Sequence, residues 1–318
     1  MCRNLLISLA IVILLNSSCI EKYDIQLSSI TPKMVVEANI TNENGPYFVR
    51  LTKSRSKLTN DPYNSPETDS SFFHLDVSEP IEDAEVYITD NSSGIIDTLR
   101  KAPSGTWHHF VDTIYHREWD YFTVPDTTIL LGYYLTDKLK GIAGHTYSLK
   151  IVWQGKEYHS ISYMPPVPSI DSVHFVFTKG DIGKDDYYIP LLYFEQPKNE
   201  RNYYLFVTQG NNFVWPYSIL SGEYLNEYVN GLDVFKGASV EYWMTAYPDI
   251  SNDYFIEMHS LTEEGYQFYK ALLQQFRNDG GMYSPSPGSP VGNIDNGALG
   301  FFKVSAVNRL NFKIRIKK

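Results

Sequence analysis

Two β-rich runs joined by a short glycine turn leave a chain little choice but a sheet. Thr146-Tyr147-Ser148-Leu149-Lys150-Ile151-Val152-Trp153 is one run, Gln154-Gly155-Lys156 turns, and Tyr158-His159-Ser160-Ile161-Ser162-Tyr163 returns. Successive strand side chains point to opposite faces, so each run buries one face and wets the other. Residues 34–40 and 47–52 repeat this logic around Asn42-Glu43-Asn44-Gly45-Pro46, and residues 84–89 and 95–99 repeat it around Asp90-Asn91-Ser92-Ser93-Gly94. Each pair predicts a hairpin. Further strands are expected at 172–178, 187–195, 202–208, 239–246, 301–307 and 310–316.

Met164-Pro165-Pro166-Val167-Pro168 interrupts the series. Prolines so closely spaced are excluded from a central strand and form a stiff, extended linker. The expected fold is therefore mainly β, with two β-sandwich-like (immunoglobulin-like) domains, 34–164 and 165–318. The second domain carries one amphipathic helix near 261–277. Ser260-Leu261-Thr262-Glu263 reads as its capping box, Phe268, Tyr269, Leu272, Leu273 and Phe276 share one face, and Asn278-Asp279-Gly280-Gly281 ends it. That stripe reads as core packing. Residues 54–76 are polar and read as a long loop, and no internal repeat is seen.

The N-terminus carries a different signal. Arg3 precedes an apolar run from Leu5 to Leu15, broken only by Ser8. The run fits a secretory h-region and falls short of the roughly 20 residues that span a bilayer. Ser17 and Ser18 then lead to Cys19, an arrangement that resembles a bacterial lipobox. Asn16 stands where that motif usually has leucine, and Leu15 lies one place too early. The expectation is a signal peptide over 1–18 and a lipidated tether over 19–33, with Cys19 acylated by chains such as palmitate. Two or more acyl chains hold a protein stably, at about 0.8 kcal/mol per buried CH₂.

Composition narrows the function. With 318 residues, 43% hydrophobic and 20% charged, the chain can build a sizeable core. Its net charge of −10 argues against a nucleic-acid partner, since phosphates demand clustered Lys and Arg. Of the two cysteines, Cys2 leaves with the signal, so the mature chain has neither a disulfide nor a cysteine metal site. The 25 tyrosines suit half-buried strands and a wet binding face.

No Gly-x-Ser-x-Gly elbow, phosphate loop or paired-histidine zinc motif occurs. His108, His109, Asp112, His116, Glu118 and Asp120 are the best metal suspects, but adjacent strand residues face apart and cannot easily share an ion. The carboxylates are too many to single out a catalytic pair. The expectation is a non-enzymatic protein without a cofactor.

A family resemblance covers the mature chain. It rests on Cys19-Ile20-Glu21-Lys22-Tyr23-Asp24, the stretch Pro32 to Asn42, the proline linker with Ile170-Asp171-Ser172, and the helix segment Tyr266 to Ala271. Its most specific piece is Gly292-Asn293-Ile294-Asp295-Asn296-Gly297-Ala298-Leu299-Gly300-Phe301-Phe302. Together these resemble the Bacteroidota lipoprotein family known as domain of unknown function 4249. The resemblance implies an outer-membrane lipoprotein beside a β-barrel of the TonB-dependent receptor type, and it carries over no residue role except acylation of Cys19. Glu21 and Asp24 resemble the acidic surface-export signal of that phylum, leaving cell surface and periplasmic face both open. Asp-Ser/Thr motifs mark Thr98, Thr113, Thr127 and Ser172 as possible O-glycosylation sites. The expected function is an accessory or substrate-capture subunit of such a transporter. A surface glycan- or peptide-processing enzyme and an adhesion module are the alternatives.

Overall fold

Alternation decides which residues leave water, and the strands form accordingly. In a computed structural model the described residues are 31–54, 79–102, 132–179, 187–198, 200–210, 213–233, 254–277 and 290–312. Those from Lys33 onward belong to one compact unit, Lys33–Ser54 with Phe73–Lys318. The elements are β1 (Met34–Thr41), β2 (Phe48–Lys53), β3 (Glu85–Asp90), β4 (Ile95–Thr98), β5 (Arg100–Lys101), β6 (Tyr133–Leu135), β7 (Thr146–Trp153) and β8 (Lys156–Tyr163). They continue with β9 (Ile170–Thr178), β10 (Tyr187–Glu195), β11 (Tyr203–Gly210), β12 (Phe213–Ser221), β13 (Tyr228–Asp233), β14 (Tyr254–Leu261), α1 (Glu263–Arg277), β15 (Leu299–Ser305) and β16 (Val307–Phe312).

The protein is mainly β, as its alternation predicts, with sandwich-like packing in two places. One sheet runs β15-β1-β2-β6-β5 and faces a second, β4-β3-β7-β8. Met34, Val36, Ala38, Ile40, Val49 and Leu51 from the first meet Val86, Ile88, Tyr147, Leu149 and Ile151 from the second in one core. A third sheet, β13-β10-β9, faces a fourth, β12-β11-β14-β16. Leu192 and Phe194 there pack with Tyr204, Phe206, Ile256 and Met258. Val167, inside the proline linker, packs against both cores.

The expected hairpins form with shifts of a residue or two. Gln154 (φ 50°) and Gly155 (φ 74°) alone make the β7–β8 turn, since Lys156 already pairs with Trp153. Two successive positive φ values give a turn whose twist matches the flanking strands. The predicted strand 239–246, the polar segment from 55 to 76 and the histidine-rich stretch 108–120 lie outside the described residues.

The helix lies where expected, but its cap differs. The Gly265 N–H donates to Thr262 Oγ1 at 3.1 Å, which makes Thr262 the N-cap. Ser260 belongs to β14. Its hydroxyl donates to the Pro165 carbonyl at 2.5 Å and accepts from the Ala306 N–H at 3.0 Å. The strand ladder claims Ser260 before the helix can begin.

The division expected at 164/165 is crossed by one strand. β15 pairs parallel with β1, Val35 opposite Leu299 through Thr41 opposite Ser305, and so extends the first sheet. Phe302 and Val304 complete the first core. The specific segment Gly292 to Phe302 makes this junction. The Asn293 side chain donates to the Phe302 carbonyl at 3.0 Å and accepts from its N–H at 2.8 Å. Ile294 is buried in the first core, and the His159 N–H donates to Asp295 Oδ1 at 2.6 Å. Gly300 holds φ +98°, and a Cβ there would lie 1.8 Å from the Val36 carbonyl oxygen.

Gly300→Ala is therefore expected to destabilise the fold by about 3 kcal/mol or more, because the β1 backbone must move. The shift in urea midpoint measures it. A change below about 0.5 kcal/mol would show that the β1–β15 junction is not tight.

Candidate functional site

Core-facing alternation also fixes what faces outward. On β1, Val36, Ala38 and Ile40 enter the first core, so Glu37 and Asn39 face the other way. Register places Glu37 between Phe301 and Arg50, and Asn39 between Lys303 and Phe48. On β14, Ile256 and Met258 enter the second core, which turns Glu257 and His259 to the opposite face, beside Leu261. α1 covers part of this region. Phe268 stacks on Phe301 with centroids 4.7 Å apart, and Tyr266 stacks on Tyr203 at 4.8 Å. The chain passes from β15 in the first sheet to β16 in the fourth through the buried Ala306.

Charges gather in this angle. His259 Nε2 lies 3.0 Å from Glu257 Oε2, and Arg309 Nη1 lies 3.2 Å from Glu257 Oε1. Arg50 Nη1 approaches Glu37 Oε2 at 3.6 Å. Lys303 is half-buried within electrostatic reach of Glu257, Glu37 and Glu43, yet its ammonium forms no hydrogen bond or ion pair among the described residues. Three carboxylates thus stand against Lys303, Arg50 and Arg309, and the angle is close to neutral.

Burial sets the protonation states. It pushes the Lys303 ammonium down to about 8, against the pull of the three carboxylates. Burial, reinforced by the Lys303 charge, holds the His259 imidazole below its ordinary range despite the hydrogen bond to Glu257. Burial works to raise Glu257, but the His259 hydrogen bond and the neighbouring cations outweigh it and hold the carboxyl below its ordinary range. The pair is accordingly a carboxylate accepting Nε2–H from a neutral imidazole, with Nδ1 left as an acceptor. His259 is only 6% exposed, and neither its Nδ1 nor Asn39 Oδ1 has a hydrogen-bond partner among the described residues. Buried polar atoms are seldom left so.

The residues singled out from sequence lie elsewhere. Cys19, Thr113 and Thr127 fall outside the described residues. Thr98 is exposed on β4, and Ser172 is half-buried on β9. Asp97, inside the Asp-Thr motif, is buried, and its Oδ2 accepts the N–H groups of Asp137, Lys138 and Leu139 at 3.0, 2.8 and 2.7 Å. Those bonds give Asp97 a structural role whether or not Thr98 carries a glycan. Sequence reasoning passed over Lys303, Glu257 and His259. The available signal was a charge inside an apolar strand, as in Phe301-Phe302-Lys303-Val304 and Phe255-Ile256-Glu257-Met258-His259.

Fold and site together define a class: a mainly β scaffold of two sandwich-like packings with a nearly neutral, charge-rich angle outside both cores. The chain belongs to the family described as Domain of unknown function (DUF4249), whose model matches residues 20–311. No curated protein matches it.

Lys303 also supplies a stability test. Its folded value of about 8 lies below its ordinary 10.5, so between these limits the unfolded chain binds more protons and stability rises with pH. Below about 8 the penalty of holding the ammonium is fully present. Lys303→Met is expected to raise Tm at pH 7 by about 4 °C. That advantage should shrink as pH climbs toward 10.5. Thermal melts of both proteins across this range decide it, and a Tm lowered at pH 7 refutes the assignment.

Proposed function

We propose that this protein is a lipid-anchored, non-enzymatic capture subunit of an outer-membrane assembly, working beside a β-barrel of the TonB-dependent transporter type. The observation that carries the capture role is Lys303. Its half-buried ammonium has no hydrogen bond or ion pair among the described residues, and it stands near two buried acceptors, Asn39 Oδ1 and His259 Nδ1, that have no hydrogen-bond partner among them either. Stability alone disfavours such an arrangement, whereas a site held ready for a ligand requires it. The anchor reading is supported by the signal-like run ending at Cys19, and by a family match that begins at the next residue, Ile20.

One observation favours a second reading. The Glu257–His259 pair has the form of a base with its orienting carboxylate. A hydrolase acting on surface glycans or peptides would use that pair, and purified protein would then turn over such substrates.

Two measurements test the proposal. Mild-detergent purification from native membranes should recover a barrel protein in near-stoichiometric amount, and recovery of this chain alone overturns the partnership. Cys19→Ala should move the protein from the membrane to the soluble fraction and remove the mass of the acyl groups. A variant that stays membrane-bound at unchanged mass overturns the anchor.

A further inference from the structure

One corner of the first sandwich exposes clustered isoleucines, and its unpaired charges are cations. Ile95, Ile96, Ile142, Ile161 and Tyr163 stand out there, from 42% exposed at Tyr163 to 67% at Ile161. Across the β3–β4 hairpin Ile95 pairs with Asp90 and Ile96 with Thr89. Thr89 pairs on its other side with Ser148, and Ser148 with Ile161. Ile96, Thr89, Ser148 and Ile161 thus make one row on the outer face of the second sheet, with Tyr163 next along that face. The loop ahead of β7 brings Ile142 to the same end. The His145 N–H donates to the Ile142 carbonyl at 3.2 Å, and His145 Nδ1 lies 2.9 Å from Asp90 Oδ2.

Lys138 and Lys140 are exposed on that loop, and neither makes an ion pair among the described residues. The carboxylates of the corner are engaged elsewhere. Asp90 and Asp97 are buried; Asp90 accepts from the Ser93 hydroxyl at 2.6 Å, and Asp97 holds its three backbone N–H groups. Asp137 pairs with Arg100 at 3.2 Å, and Glu43 on the β1–β2 turn faces Glu257, Arg309 and Lys303. The exposed carboxylates of the outer face, Glu85 and Glu157, flank Val152 at the far end of the sheet. In a chain of net charge −10, this corner is cationic. Single exposed apolar side chains need no explanation, but clustered ones beside lone cations do. Thr89 and Ser148 are small, so Ile96 and Ile161 stand as separate prongs, about 14 Å apart over three strand spacings. Separate prongs suit a fluid surface that closes around each one, rather than a protein partner that grips a packed central anchor. A bilayer boundary takes up aliphatic side chains, seats tyrosine among its headgroups and draws ammonium groups to its phosphates.

We infer that this corner rests on a bilayer bearing anionic phosphate headgroups, with Ile95, Ile142 and Ile161 entering its apolar boundary and Lys138 and Lys140 meeting phosphate. The inference rests on the anchor reading, which supplies the membrane, and adds the face that the body turns toward it. Met34, the first residue of β1, pairs with Lys53, whose ammonium lies over the Trp153 ring at the far end of β7. An anchor ahead of residue 34 therefore holds the opposite end of the sandwich. Attached at both ends, the sandwich lies along the bilayer and does not stand upright on it.

The test uses the full protein reconstituted into phosphatidylcholine vesicles, with and without phosphatidylglycerol. An environment-sensitive fluorophore is attached through Ile142→Cys or, at the acidic end, through Glu157→Cys, both exposed positions. The parent protein, treated alike, gives the background from Cys2 and Cys19. With phosphatidylglycerol present, nitroxide-labelled lipid is expected to quench the dye at 142 about threefold more than the dye at 157. Lys138→Gln with Lys140→Gln should cut that quenching by about half or more, as should omitting phosphatidylglycerol. Equal quenching at the two positions overturns the inference, and so does quenching at 142 that ignores both the lysines and the lipid charge. A dye at 142 that native membranes shield from aqueous iodide, but that lipid nitroxide leaves unquenched, means that a protein covers the corner, and this also overturns it. If the protein fails to incorporate, the anchor reading falls. The two dyes are then read with vesicles added to the unanchored protein, and the same quenching criteria judge the corner alone.

Discussion

The parallel ladder between β1 and β15 is the constraint on which the rest depends. It brings a strand from beyond residue 290 to the edge of a sheet begun at Met34. It completes the first core with Phe302 and Val304, and it fixes where Lys303 stands. Because side chains alternate, the register that buries Phe302 and Val304 must also turn Phe301 and Lys303 outward. Phe301 goes under α1, and Lys303 goes into the charged angle. The same hydrogen-bond ladder therefore builds a core on one side and a polar site on the other.

The joint beyond β15 is held just as closely. Ser305 Oγ donates to the Ser260 carbonyl at 2.5 Å, and the Val307 N–H donates to Asn42 Oδ1 at 2.6 Å. The Ile170 N–H donates to Asn308 Oδ1 at 2.8 Å. With Ser260 on the Pro165 carbonyl, these bonds tie the proline linker, the β1–β2 turn and the β15–β16 crossover together. Asn42, Ser260 and Asn308 are small polar residues near strand ends, where side chains can satisfy backbone groups that the ladders leave over. The linker reads as a spacer in sequence, yet its Val167 belongs to both cores.

The fold was more legible than the site, for a physical reason. Hairpins are local, so period and turn chemistry announce them: Asp90 to Gly94 and Gln154-Gly155 place their strands within a residue or two. The β1–β15 pairing joins residues some 260 apart, and no local pattern encodes it. The helix was visible in its aromatic stripe, but its cap was misplaced because Ser260 and Thr262 are both good caps and only the β14 ladder decides between them. The charged angle assembles one or two residues each from β1, β2, β14, β15 and β16. Each alone resembles an ordinary surface charge, and only the register shows that Asn39 and Lys303 are neighbours. The segment Gly292 to Phe302, the most specific piece of sequence, proved to be scaffold. Its Gly292 and Gly300 admit close backbone approach, and its Asn293 pins the entry to β15.

The late arrival of β15 governs how the molecule is made. A chain that emerges N-terminus first presents β1 with one open edge, and the strand that closes it ends at Ser305 of 318 residues. Until then the first sandwich lacks Phe302 and Val304 and exposes an apolar strip. Closing so long a loop is entropically slow. Completion of the first sheet is thus deferred until β15 has emerged. That delay would suit the export proposed above, in which a chain is threaded unfolded across a membrane before it takes shape. It also leaves the open edge of β1 as the surface most in need of cover until β15 arrives.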